Sequence, residues 1–167
     1  MTALITKHRV AFVALIAAAL TVMASLAAAQ QFSAGNGLVN ESAYALQREQ
    51  WKKGADLAMK ALRSGELSPE NTPAAYNNLC IGLTRTGKFD DAMAACTKAI
   101  TMKPRQWAFY NNRANIYFHQ AEFDRALAEY YKAMTFSPGD SVLMQNIALT
   151  LKVRRDRTAR PSGKRLS

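Results

Sequence analysis

The sequence predicts an all-α, right-handed α-α solenoid of about three helix-turn-helix repeats plus a C-terminal capping helix. Three observations carry this. First, the chain repeats itself: a shift of 34 residues places Tyr76, Asn77 and Asn78 on Tyr110, Asn111 and Asn112. The same shift places Phe89, Asp90 and Ala92 on Phe123, Asp124 and Ala126, and Lys98, Ala99 and Pro104 on Lys132, Ala133 and Pro138. A fixed period of this length is the mark of a stacked repeat. Second, within each copy the apolar and small residues recur at helical spacing: Tyr76, Leu79, Cys80 and Leu83, then Phe89, Ala92, Cys96, Ala99 and Ile100. Third, the breakers fall between those runs, with Gly87 inside the copy and Pro104 and Pro138 at its ends.

The elements follow in order. Lys7, His8 and Arg9 precede an apolar run from Val10 to Met23, and Ala27 and Ala29 form an A-x-A site. This layout predicts a signal peptide over residues 1–29, cut between Ala29 and Gln30, and an exported, most simply periplasmic, product. The alternative is a membrane anchor formed by residues 10–29, which reach the ~20 residues a bilayer needs. The repeat domain is expected over residues 36–155. Its first unit, about 35–72, pairs Asn36 to Arg48 with Gln50 to Leu62, where Trp51, Gly54, Ala58 and Ala61 align with Phe89, Ala92, Cys96 and Ala99. A longer connection, Ser64 to Thr72, stretches its spacing to 38. The second unit, 73–106, is expected to open with Thr72 as N-cap and Pro73 at the first helical position. The third, 107–140, repeats the plan with Tyr110, Ala114 and Tyr117, then Phe123, Ala126, Tyr130 and Ala133. A capping helix over 141–155 would close the last apolar face. Residues 156–167 read as a basic, disordered tail.

The two clear units resemble the tetratricopeptide repeat family, whose signature is W-x2-L-G-x2-Y, then A-x3-F, then P. One unit reads Tyr76-x2-Leu79-Cys80-x2-Leu83, Ala92-x3-Cys96, Pro104, and the next reads Tyr110-x2-Arg113-Ala114-x2-Tyr117, Ala126-x3-Tyr130, Pro138. Cys80 stands where the family has Gly and Arg113 where it has Leu. The resemblance implies that the first helix of each pair lines a concave groove and that the protein is a binding scaffold.

Asn40, Asn78, Asn112 and Asn146 share one place in the repeat, at spacings of 38, 34 and 34. The resemblance puts them on the groove wall, where an amide can pair with both backbone groups of an extended peptide. Asn77, Asn111, Asn115, Arg85 and Phe118 complete the expected peptide-binding set. The alternative is that these Asn bond to the adjacent helix and fix how repeats stack. Some relatives hold carboxylate-ended peptides with Lys and Arg beside such Asn. Here those places carry Asn77, Val142 and Asn146, which argues against a carboxylate clamp.

Enzyme chemistry is not expected. Past the signal segment the chain has one His, His119, and no glycine-rich phosphate loop or metal-ligand spacing. No cofactor or metal is implied. Cys80 and Cys96 are the only cysteines. They lie on facing helices of one unit, so an oxidising compartment favours a disulfide, the alternative being two small core residues that never meet. The net charge of +10 is uneven. Lys152, Arg154, Arg155, Arg157, Arg160, Lys164 and Arg165 face only Asp156, while the domain before them is nearly neutral. Nucleic acid is therefore not the expected partner; a protein or peptide is, with anionic membrane-surface contact through the tail as a secondary expectation. The alternative function is a structural or oligomerising subunit of a cell-envelope complex, with the Asn row serving repeat stacking.

Overall fold

The computed structural model describes residue 23, residues 35–65 and residues 67–159. Apart from residue 23, the expected signal or anchor segment lies outside the described residues, as does the end of the basic tail. Seven helices are present among them, and no strand. Helix α1 covers residues 35–47, and the others are α2 (Trp51–Ser64), α3 (Asn71–Arg85), α4 (Phe89–Met102), α5 (Trp107–His119), α6 (Phe123–Phe136) and α7 (Ser141–Ala159). Each helix packs on its neighbours in sequence from α2 to α7, and α3 also touches α5. That is the connectivity of a solenoid, in which each unit meets only the next. No helix among the described residues is long and apolar enough to cross a membrane.

The turn inside each pair is built the same way three times. Gln50 N–H donates to Ala45 O at 2.9 Å, Lys88 N–H to Leu83 O at 2.9 Å, and Glu122 N–H to Tyr117 O at 2.8 Å. Each bond spans five residues and closes a Schellman-type cap, which needs a left-handed residue just before the donor. Those residues are Glu49 (φ 58°), Gly87 (φ 78°) and Ala121 (φ 62°). Only the middle unit uses glycine, the residue that takes this conformation without a Cβ penalty. Ala121→Gly is therefore expected to stabilise the fold by up to about 1 kcal/mol, readable as a raised urea midpoint.

Small side chains let the helices of a pair approach. Cys80, Ala92, Ala114 and Ala126 are all fully buried. Gly82 sets the closest approach between units: a Cβ there would stand 2.7 Å from Trp51 O and 2.8 Å from Ala55 Cβ. The sulfurs of Cys80 and Cys96 meet at disulfide distance, with their Cα atoms 5.3 Å apart, and join α3 to α4.

Two helix ends depart from expectation. α3 starts at Asn71, not at Pro73, and Thr72 is inside it rather than its cap. The cause lies in the connection. Ser68 Oγ accepts from Asn71 N–H at 3.2 Å, and Asn36 Oδ1 accepts from Ser68 N–H at 3.3 Å and from Asn71 Nδ2 at 2.9 Å. Ser68 thus supplies acceptors for the amides of Asn71 and Thr72, and the helix begins two residues before Pro73. α7 opens as a capped helix, with Asp140 Oδ1 accepting from Val142 N–H at 2.9 Å and Leu143 N–H at 3.2 Å. It runs past residue 155 to Ala159, so the first residues of the basic segment are helical.

Candidate functional site

The first helices of the pairs, α3, α5 and α7, lie side by side and leave a cleft of about 280 Å³ between them. α3 contributes Ile81, Thr84 and Arg85 to its lining; α5 contributes Asn112, Asn115, Phe118 and His119; α7 contributes Asn146, Leu149 and Thr150. Tyr130 of α6 forms part of the floor. Of the residues singled out from sequence, Arg85, Asn112, Asn115, Phe118 and Asn146 are brought together here. Asn78 and Asn111 are buried between helices, Asn77 is half-buried beside them, and Asn40 is exposed next to Glu41 and Tyr44 on another surface. Thr84, His119, Tyr130, Leu149 and Thr150 were not picked out from sequence. His119 lies four residues from Asn115, and Leu149 and Thr150 lie three and four from Asn146; Thr84 adjoins Arg85, and Tyr130, on α6, had no such signal.

The two asparagines of each Tyr-Asn-Asn have different tasks. Asn112 Nδ2 reaches back to Asn77 Oδ1 at 2.8 Å, and Asn146 Nδ2 reaches back to Asn111 Oδ1 at 2.8 Å. Both spans are 35 residues, one more than the repeat. The second Asn of a unit therefore donates to the first Asn of the unit before. In the first unit that place is Val39, which has no side-chain acceptor, and Asn78 Nδ2 donates instead to its backbone oxygen at 3.1 Å. Asn111 Nδ2 closes the row by donating to Asn112 Oδ1 at 3.3 Å. These bonds join neighbouring units. Asn111→Ala removes the acceptor of Asn146 and the donor to Asn112 at a buried site, and is expected to lower stability by about 2 kcal/mol in chemical denaturation.

The stacking bonds leave some polar groups facing the cleft. Asn115 Oδ1 accepts from Tyr130 Oη at 2.5 Å, which leaves Asn115 Nδ2 as its donor. Asn146 uses Nδ2 on Asn111, which leaves its Oδ1 as an acceptor. Burial pushes the Tyr130 hydroxyl up to about 12, so it stays protonated and holds Asn115 in place. His119 lies beside Phe89 and Phe118. Burial first, and then the charge of Arg85, lower its imidazole below the usual value, so it is neutral at neutral pH. The Arg85 guanidinium lies over Trp51, 4.4 Å from the ring centroid. The cleft thus offers amide donors and acceptors, one cation, and apolar wall from Ile81, Phe118 and Leu149. Among the described residues no group of three or more His, Cys, Asp or Glu could hold a metal ion.

Residues 108–140 match the family model for the tetratricopeptide repeat. Solved structures match over most of the chain. The first such domain of Spaghetti (RPAP3), bound to the HSP90 peptide SRMEEVD, aligns with a TM-score of 0.62 at 16% identity, covering 72% of this chain and 93% of that one. The fold is that of a tetratricopeptide array. The tetratricopeptide domain of Sgt2 from Aspergillus fumigatus aligns with a TM-score of 0.62 at 18% identity, over 80% of this chain and 88% of that one. The second tetratricopeptide domain of human RPAP3, in complex with the HSP70 peptide SGPTIEEVD, aligns with a TM-score of 0.59 at 10% identity, over 74% and 98%. No curated protein matches the chain as a relative. In tetratricopeptide terms, α3, α5 and α7 are the first helices of their units, and the cleft lies on the face they share.

Proposed function

We propose that this protein is an interaction scaffold that holds an extended peptide segment of a partner protein in the cleft between α3, α5 and α7. The observation that carries the reading is the set of groups converging there. Asn115 Nδ2 and Asn146 Oδ1 offer a donor and an acceptor suited to a peptide backbone, beside the apolar wall of Ile81, Phe118 and Leu149. The peptide complexes of the similar domains support the class of ligand. A carboxylate-ended peptide of the kind seen in those complexes is not the ligand proposed. The places where the resemblance expects cations hold Asn77 and Asn146, both tied into the row between units, and the exposed apolar Val142. The ligand instead places an apolar side chain against Phe118 and Leu149 and an acidic or carbonyl group near Arg85.

The protein is further read as working in an exported compartment. The basic patch, apolar run and A-x-A site at residues 7–29 support this, and so does a cysteine pair at disulfide distance. Lys152, exposed on α7, is the residue that would meet an anionic surface.

The test is affinity capture of the exported protein followed by peptide mapping and titration of the captured segment. Asn115→Ala and Phe118→Ala are each expected to weaken binding roughly tenfold, about 1.4 kcal/mol, when titrated at a temperature where the variants remain folded, since each also loses an internal contact. Equal binding by both variants would remove the cleft from the reading. A catalytic activity with no bound partner would remove the scaffold itself.

A further inference from the structure

α7 carries an apolar stripe that its counterparts bury. A helical repeat aligns Met144, Ala148, Leu151 and Arg155 along one side, and a 34-residue shift equates Met144 with Tyr110 and Ala148 with Ala114. In α5 that side lies under α6: Tyr110 and Ala114 share a buried cluster with Ala126, Tyr130 and Ala133. In α3 it lies under α4, where Cys80 meets Cys96. On α7 no described helix covers it, and Met144 and Leu151 are 50% and 38% exposed. The stripe is separate from the cleft, which α7 lines with Asn146, Leu149 and Thr150.

We propose that the stripe is covered by the same stripe of a second copy, the two α7 helices running antiparallel about a two-fold axis at Ala148. The sequence of the stripe is self-complementary in that orientation. The small Ala148 falls at the crossing, where two helices approach most closely. Met144 of each copy meets Leu151 of the other. Arg155, near one end, comes level with the start of the opposing helix, where Asp140 supplies a carboxylate. A parallel pairing would set Arg155 against Arg155 and lose both ion pairs, so charge selects the antiparallel one. The contact is isologous and closes on itself, giving a dimer rather than a filament. It leaves both clefts open, so it stands or falls independently of peptide binding.

The experiment is sedimentation equilibrium of the full chain from low to high micromolar concentration. The expected result is a monomer–dimer equilibrium, with Met144→Glu and Leu151→Glu each shifting the protein to monomer while helicity and melting temperature hold. Arg155→Glu would set two like charges together and also favour monomer. Adding Asp140→Asn to it, which keeps a good N-cap, would restore part of the dimer. Ala148→Cys would give a covalent dimer on mild oxidation. A monomer at every concentration overturns the proposal. So does a dimer indifferent to Met144→Glu and Leu151→Glu, an assembly that grows past two copies, or a stripe occupied only by another protein.

Discussion

Glu129→Ala is expected to destabilise the protein by about 3 kcal/mol, among the largest effects of any single substitution in the array. Glu129 of α6 receives both bonds from Arg113 Nη2 of α5, at 2.8 and 3.0 Å, and the two side chains are only 18% and 20% exposed. Removing the carboxylate strands a guanidinium that is already short of partners, since Arg113 Nε is buried with none. The residual exposure keeps the cost at the lower end of the range for buried pairs. The revealing comparison is the double variant Arg113→Leu/Glu129→Leu, which places at 113 the residue type found there in the repeat signature. It is expected to match or exceed the parent's stability, because apolar packing of similar volume replaces two desolvated charges. Urea denaturation monitored by circular dichroism reads all three. A double variant as weak as the single would mean that the pair stabilises the fold outright.

Reduction of Cys80–Cys96 is expected to lower stability by about 3 kcal/mol and the melting temperature by about 10 °C. The two cysteines stand at disulfide distance, 16 positions apart, and a bond between them ties α3 to α4 at the centre of the array, with both sulfurs in the core. Most of the loss comes from the unfolded chain, which regains the freedom of an open loop. Scanning calorimetry with and without reductant measures it, with Cys80→Ala/Cys96→Ala giving the same loss plus a packing term. Two titratable thiols in the unreduced, denatured protein would reject the bond.

Much of the fold could be read from the chain because a solenoid repeats its signals. Tyr, Ala and Pro recur at one interval, and each recurrence reinforces the same helix boundaries. The exceptions are places where a local bond outweighs the pattern. Ser68 and Asn36 pull the start of α3 forward to Asn71, and nothing in the Thr72-Pro73 dipeptide reveals it. The cleft was partly legible, since Asn112 and Asn146 were singled out by their place in the repeat and Arg85, Asn115 and Phe118 as further residues of the expected groove face. The roles of the asparagines were harder to read. Alignment tells which residues are equivalent, not which are adjacent. Asn112 is equivalent to Asn78 but touches Asn77, because the superhelical offset between units slides neighbours by one residue. A period of 34 therefore hides contacts that run at 35. The partnership of Tyr130 with Asn115 crosses from one helix of the pair to the other and follows no repeat at all.

The one-residue offset between Asn77 and Asn112, and again between Asn111 and Asn146, makes each Tyr-Asn-Asn a two-sided connector, with a plug facing one way and a socket the other. Any 34-residue module duplicated between Pro104 and Pro138 would arrive with both sides in phase. The array could lengthen by copying without inventing a new joint. The first junction lacks this property, because Val39 supplies only a main-chain oxygen. Growth of such a chain is thus cheap in its interior and constrained at its front.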